Sequence, residues 1–247
     1  MSTETTTISA DRQTHFKRQA AEVAAELVAS GNVVGLGSGS TAMWAVRALA
    51  RRQEHGILSN ILAVPTSRET ENLARELGIA LTTLASHPVV DITIDGADEI
   101  DPRLDVIKGA GGALLREKIV AQASRRWVIV ADESKLSEKL GRKREVPVEV
   151  VTFGWQAQQR YLEELGAKVR RRTSPDGSAF VTDQGNYLLD CIFGPLEEAA
   201  VLAARLKARA GIVEHGLFLE MADVAIVAGP GGIRSMTREI EPADRTG

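Results

Sequence analysis

The chain has 247 residues, a formal net charge of −3, and a composition that is 44% hydrophobic and 26% charged. These values describe an ordinary globular protein and exclude a general electrostatic pull toward nucleic acid or an anionic membrane, so an anionic ligand must be attracted by a local site. The single cysteine, Cys191, excludes an intrachain disulfide; it sits in the apolar run Leu188-Leu189-Asp190-Cys191-Ile192-Phe193 and reads as core rather than nucleophile.

The opening MSTETTTISADRQ is polar and lacks an apolar stretch behind a basic flank, so the first ten or so residues are expected to form a disordered tail rather than a secretory signal. No apolar run approaches the length of a membrane span, and a cytoplasmic location is expected. Phe16, Ala20, Val23, Ala24, Leu27 and Val28 recur at helical spacing, with Gly31 placed as a cap. A buried strand over 32–36 then enters a glycine turn, and a helix over 41–52 follows. Strand 61–64 stops at Pro65, and helix 67–77 is bounded by Ser67 as N-cap and Gly78 as terminator. Strands over 80–84 and 89–94, helix 113–123 and strand 127–130 continue the alternation. Strands alternating with helices predict a Rossmann-like α/β unit with a mostly parallel sheet covered on both faces.

The pattern changes after Gly141. Strand 147–151, helix 155–165, short strands over 169–172 and 180–182, a Gln184-Gly185-Asn186 turn, strand 187–192, helix 195–209 and strand 212–213 read as a small α+β unit of split-βαβ type. The apolar run Val224-Ala225-Ile226-Val227 then returns to the first sheet. The expected division is 1–145 plus 214–247 for the larger domain and 146–213 for the smaller, inserted one.

Gly35, Gly37 and Gly39, between a strand and a helix, let backbone N–H groups converge on an anion, with Ser38, Ser40 and Thr41 adding hydroxyls. The dinucleotide fingerprint would need glycine at Ser40, and a Walker loop would need Gly-Lys before Thr41, so a monophosphate fits better than a nucleotide. A capped tight turn is an equal reading of this segment alone.

The segment 92–119, ITIDGADEIDPRLDVIKGAGGALLREKI, carries the chemistry. Asp95 sits at the C-terminal end of a strand, the edge where open α/β sheets bind ligands, and Gly96 and Ala97 leave room for close approach. Glu99, Asp101 and Asp105 read as a solvated turn, and the spacing of an EF-hand calcium loop is not met. Lys108 ends another apolar strand and enters the Gly109-Ala110-Gly111-Gly112 loop; Glu117 lies one turn into the next helix. Alone, Glu117 between Arg116 and Lys118 reads as a surface pair. Together, a carboxylate, an ammonium and further acids are the set that moves a proton between carbons beside a carbonyl, with the base at Glu117, the electrophile at Lys108 and an acid at Asp95 or Asp98. That is aldose–ketose isomerisation, for which no metal and no cofactor is expected.

At these residues the chain resembles ribose-5-phosphate isomerase of type A. The similarity lies in GLGSGSTA at 35–42, DGADEID at 95–101 and KGAGGALLREKI at 108–119, and runs in order through DESK at 132–135, PVEV at 147–150, VTDQGN at 181–186 and EHGLF at 214–218. The resemblance implies interconversion of D-ribose 5-phosphate and D-ribulose 5-phosphate in the pentose phosphate pathway. It makes Glu117 the base, has Asp95 assist ring opening, has Asp98 hold sugar hydroxyls and has Lys108 steady the enediolate. Substrate contacts are implied from Asp95 through Gly96, Ala97 and Asp98, and from Lys108 through Gly109, Ala110 and Gly111. Ser38, Gly39, Ser40 and Thr41, with Lys135 and Lys17, would take the phosphate. The small domain would be ferredoxin-like, the assembly a homodimer or homotetramer, and the partner a small-molecule sugar phosphate. Ala110 departs from the family's KGGG loop and narrows backbone freedom there. A sugar-phosphate sensor would need a DNA-binding module, for which the roughly 15 residues before the first helix leave no room. An amino-sugar phosphate deaminase or a coenzyme A transferase would not explain DGAD, KGAGG and REK together.

Overall fold

In a computed structural model, residues 2–238 are described, with side chains from Ala10 onward. Helix α1 (Ser2–Ala25) opens the chain, so the stretch expected to form a disordered tail is helical from Ser2. α1 ends before the cap expected at Gly31. Gly31, at φ +83°, instead donates to Ser59 O at 3.0 Å and turns the chain into β1 (Val33–Leu36).

Next come α2 (Ala42–Glu54), β2 (Leu62–Pro65), α3 (Arg68–Glu76) and β3 (Ile92–Gly96). α2 buries Ala42, Ala45, Val46, Ala48 and Leu49, one face at spacings of three and four. Ser67 caps α3 as expected, its hydroxyl accepting from Thr70 N–H at 3.1 Å. The strand expected over 80–84 does not form. Only Leu81 bridges to Ala63, because the chain turns at once and Thr82 Oγ1 meets His87 Nδ1 at 2.7 Å, a local bond that competes with a ladder.

β4 (Glu99–Ile100), β5 (Val106–Ile107), α4 (Leu114–Gln122) and β6 (Trp127–Asp132) complete the first half. The chain then runs through β7 (Val146–Val150), α5 (Trp155–Glu164), β8 (Lys168–Arg171), β9 (Tyr187–Ile192), α6 (Ala199–Lys207) and β10 (Ile212–His215). These strands form an antiparallel sheet in the order β10-β7-β9-β8, with α5 and α6 packed on it, which is the ferredoxin-like arrangement. The short strand expected over 180–182 reduces to a single bridge between Val181 and Tyr187. Cys191 is fully buried in this unit's core, as its apolar setting predicts.

β11 (Leu217–Phe218), β12 (Val224–Gly229) and β13 (Gly232–Thr237) close the chain. The main sheet runs β13-β12-β6-β3-β1-β2, parallel from β12 to β2, with β13 antiparallel on the edge. β13 has no sequence signal: its residues are mostly exposed and do not alternate, and it is held by a hairpin pairing Gly229 with Gly232. Alternate residues of the inner strands face two cores. Val128, Val130, Val224 and Ile226 pack under α1, α2 and α3, while Trp127, Ile129, Ala225 and Val227 pack toward α4 and Phe218. Each large side chain so buried contributes roughly 1.5–3 kcal/mol. Ala20, Ala21, Ala24 and Ala25 are fully buried, and their small size seats α1 directly on β6 and β12.

A third sheet, β11-β5-β4, lies where the chain passes from one unit to the other. Its acids correct the reading of a solvated turn. Glu99 is fully buried and accepts from the N–H groups of Gly141, Lys143 and Arg144 at 3.0–3.1 Å. Asp101 accepts from Arg103 N–H and Asp105 N–H, both at 2.9 Å. Asp105 accepts from Glu220 N–H at 2.7 Å and pairs with Arg238. These carboxylates tie distant loops together.

Candidate active site

The chain leaves β1 toward β2 on one side of the sheet and returns to β3 on the other, so the carboxyl ends of β1 and β3 open a crevice at the switch point. The loop after β1 and the end of β3 meet there. Gly37 is obligatory for that meeting: a Cβ on it would lie 2.2 Å from Asp95 Oδ1 and 2.5 Å from Asp95 Cα. A cleft of about 420 Å³ results, lined by both glycine loops, Gly96, Ala97, Asp98, Glu117 and Lys135.

Lys108 organises its floor. Directly after β5, its backbone N–H donates to Gly216 O at 2.9 Å, and a side chain on Gly216 would collide with Lys108 O. Its ammonium reaches Asp95 Oδ1 at 2.9 Å, Glu117 Oε1 at 3.2 Å and Gly96 O at 2.5 Å. Asp95 Oδ1 also accepts from Ser38 N–H at 3.2 Å and Gly96 N–H at 2.7 Å. Asp95 Oδ2 and Glu117 Oε2 have no partner among the described residues.

One ammonium thus serves two buried carboxylates. Burial raises the Glu117 carboxyl to about 8 against the opposing pull of Lys108, with Asp95 and Asp98 adding to the rise. Burial likewise pushes Asp95 upward, opposed by Lys108. For Lys108, burial disfavours the charge, but Asp95 and Glu117 outweigh it and hold the group protonated. The trio can therefore exchange a proton near neutrality while keeping a cation in place.

The far end of the cleft suits an anion. Thr41 begins α2 without capping it through its side chain, so its hydroxyl and the helix's positive end remain open. Ser38 Oγ is instead tied to Thr66 Oγ1 at 2.7 Å, and Thr70 Oγ1 donates to Gly37 O at 3.0 Å, which braces the loop from α3. Lys17 Nζ reaches Ser40 Oγ at 3.0 Å from α1, and Lys135 stands in the short turn after β6.

The residues expected from the sequence are largely brought together, with two placed differently from a simple wall. Asp95 is fully buried behind Lys108 and does not line the cleft. Ala110 faces a second, neighbouring cleft with Arg142, Lys143, Arg144 and Arg172, while its N–H donates to Asp98 Oδ2 at 2.9 Å. Positive φ falls on Gly109 and Gly112 and not on Ala110, so the loop accommodates alanine at that position without backbone strain. Glu117 is no surface pair. Its neighbours are drawn elsewhere, Arg116 to Asp183 and Lys118 to Glu214. Sequence reasoning missed Thr66 and Thr70, and it included Gly216 only as part of the EHGLF motif, without a role.

The ribose 5-phosphate isomerase A (phosphoriboisomerase A) family model matches residues 62–232. A ribose-5-phosphate isomerase A of Chloroflexus aurantiacus is 56% identical over 221 residues, covering 90% of this chain and 92% of that protein. The solved ribose 5-phosphate isomerase of Plasmodium falciparum superposes with a TM-score of 0.89 at 38% identity, covering 92% of this chain and 100% of that one. A D-ribose-5-phosphate isomerase solved in complex with phospho-erythronic acid also superposes with a TM-score of 0.89, at 33% identity, over 91% of this chain and 98% of that one.

Proposed function

Because the chain belongs to the ribose 5-phosphate isomerase A family, we propose that its cleft interconverts D-ribose 5-phosphate and D-ribulose 5-phosphate through an enediolate, in the pentose phosphate pathway. The observation that carries this reading is the Asp95–Lys108–Glu117 trio, a buried carboxylate with one free oxygen beside a fixed cation. Glu117 takes the proton from C2 of the open aldose and returns it to C1. Lys108 holds the negative charge that develops on the sugar oxygens, where a preorganised cation in a water-poor site is most effective. Asp95 keeps that ammonium in place and, since it does not itself line the cleft, assists ring opening through the Lys108 it holds. Asp98, which lines the cleft, holds sugar hydroxyls. The phosphate rests on Ser38, Gly39, Ser40 and Thr41 at the open end of α2, with Lys17 and Lys135 supplying charge.

The same reading takes 1–145 plus 214–247 as the catalytic domain and 146–213 as an inserted one, in a cytoplasmic homodimer or homotetramer. Large exposed apolar side chains within 146–213, Phe153, Val181, Ile192 and Val201, support a self-association surface there.

The phosphate placement has a kinetic signature. Thr41→Ala and Lys135→Ala touch a group that does not react, so they remove binding common to ground and transition states. In a ribulose 5-phosphate formation assay, KM is expected to rise roughly tenfold in each while kcat stays within about threefold. A fall in kcat at constant KM would displace the phosphate from this end of the cleft.

A further inference from the structure

We propose that Arg172 is a positioning residue that aims the backbone N–H of Gly111 into the reaction cleft. The inference rests on the isomerase reading above and extends it to a residue on the small sheet's side. Arg172 follows β8 and is held by Asp190, whose Oδ2 accepts from its Nε at 3.1 Å and whose Oδ1 pairs with its Nη2. Its remaining nitrogen, Nη1, crosses to the lysine–glycine loop and donates to Gly109 O at 2.8 Å and Ala110 O at 2.9 Å.

Those two bonds fix two peptide planes. In a trans peptide the C=O and the following N–H point opposite ways. The plane after Gly109 is pinned at both ends, its carbonyl on Arg172 and its N–H, that of Ala110, on Asp98 at 2.9 Å. The plane after Ala110 is pinned at its carbonyl only, and its N–H belongs to Gly111, which lines the reaction cleft and whose N–H has no partner among the described residues. Arg172 and Ala110 line the neighbouring cleft instead, so the guanidinium pulls from the opposite face of the loop. Phe180 supports the same loop, lying where a side chain on Gly112 would clash. Without the pull, the plane after Gly109 keeps its bonds to Asp98 and to Gly112 N–H, but the plane after Ala110 loses its one fixed end and, beside Gly111, is free to rotate. The Gly111 donor acts on the sugar oxygen that becomes the enediolate, beside Lys108. Only a planar fork braced by a carboxylate reaches both carbonyls, which makes lysine a poor substitute.

The test compares wild type, Arg172→Ala, Arg172→Lys and Glu117→Gln for kcat and KM on ribose 5-phosphate. It also measures inhibition by a phosphorylated four-carbon aldonate, whose carboxylate copies the enediolate. Arg172→Ala is expected to lose kcat roughly 10- to 100-fold with KM within about threefold, and to lose aldonate affinity by the same factor as kcat/KM. Added guanidinium restores turnover to the alanine variant where ammonium does not, and Arg172→Lys stays low. Should the alanine variant fold poorly, Asp190→Asn, which loosens the fork at nearly constant shape, is read in the same way. Turnover near wild type in the alanine variant, or a loss that leaves aldonate affinity unchanged and is not rescued by guanidinium, would overturn the proposal. If Glu117→Gln is inactive beside a fully active Arg172→Ala, the proposal fails alone. If wild type fails to convert the sugar, or Glu117→Gln keeps its activity, the fault lies with the site reading instead.

Discussion

Glu117→Gln is expected to lower kcat roughly 10²–10⁴-fold with little change in KM, because it keeps the shape of the side chain and removes only the base. The carboxylate must be ionised to act, and burial raises it to about 8. Wild-type kcat/KM should therefore fall as pH drops below about 8, an acid limb well above the second ionisation of a sugar phosphate near ~6. The residual activity of the variant should lack that limb. Stability supplies an independent readout. A carboxyl whose folded value lies above its ordinary 4.5 costs nothing while protonated in both states, and weakens the fold as pH rises toward the raised value. The glutamine variant should thus melt at or above wild type at pH ~9 and show no such advantage at pH ~4. Turnover near wild type, or an acid limb that survives the substitution, would remove Glu117 from the role of base.

Lys108→Met removes the one cation between Asp95 and Glu117 and leaves two buried carboxylates facing each other. Loss of the preorganised charge is expected to lower kcat by roughly 10²–10³-fold or more. Stability should fall by roughly 3–5 kcal/mol at alkaline pH, the range found when one partner of a buried pair is deleted. The sign of the pH dependence follows from the direction of the shifts. Both carboxyls are already raised by burial, and without the ammonium they rise further. Stability lost in the ionised state is then recovered as pH falls and both groups take up protons. Urea unfolding at pH ~5 and pH ~8.5 measures this, with the gap to wild type expected to be larger at the higher pH. A deficit independent of pH would mean that the lysine fills space rather than balancing charge.

The site trio was legible because it depends on short sequence separations, and the parallel sheet because alternating apolar strands and helices announce it even where the paired strands, such as β6 and β12, lie far apart in the chain. Asp95, Lys108 and Glu117 lie within one strand–loop–helix segment, and the glycine loop after β1 announces its turn through the glycines themselves. What stayed hidden depends on partners far along the chain. Glu99, Asp101 and Asp105 read as a solvated cluster because Arg238, Glu220 and the 141–144 loop, which satisfy them, give no local sign of it. Arg172 lies 62 residues from Ala110, and nothing in Arg170-Arg171-Arg172 marks which guanidinium turns inward. β13 escaped notice because an exposed edge strand needs no alternation when its neighbour supplies the ladder.

The central claim is proton transfer through an enediolate by a single carboxylate, and isomerisation of ribose 5-phosphate in deuterium oxide tests it most directly. Deuterium is expected at C1 of the ribulose 5-phosphate formed, because the proton held on Glu117 exchanges with solvent in a fraction of turnovers, and this incorporation should vanish along with turnover in Glu117→Gln. Complete retention of the C2 hydrogen at C1 with no solvent deuterium at any extent of reaction would mean direct hydride transfer and contradict the account.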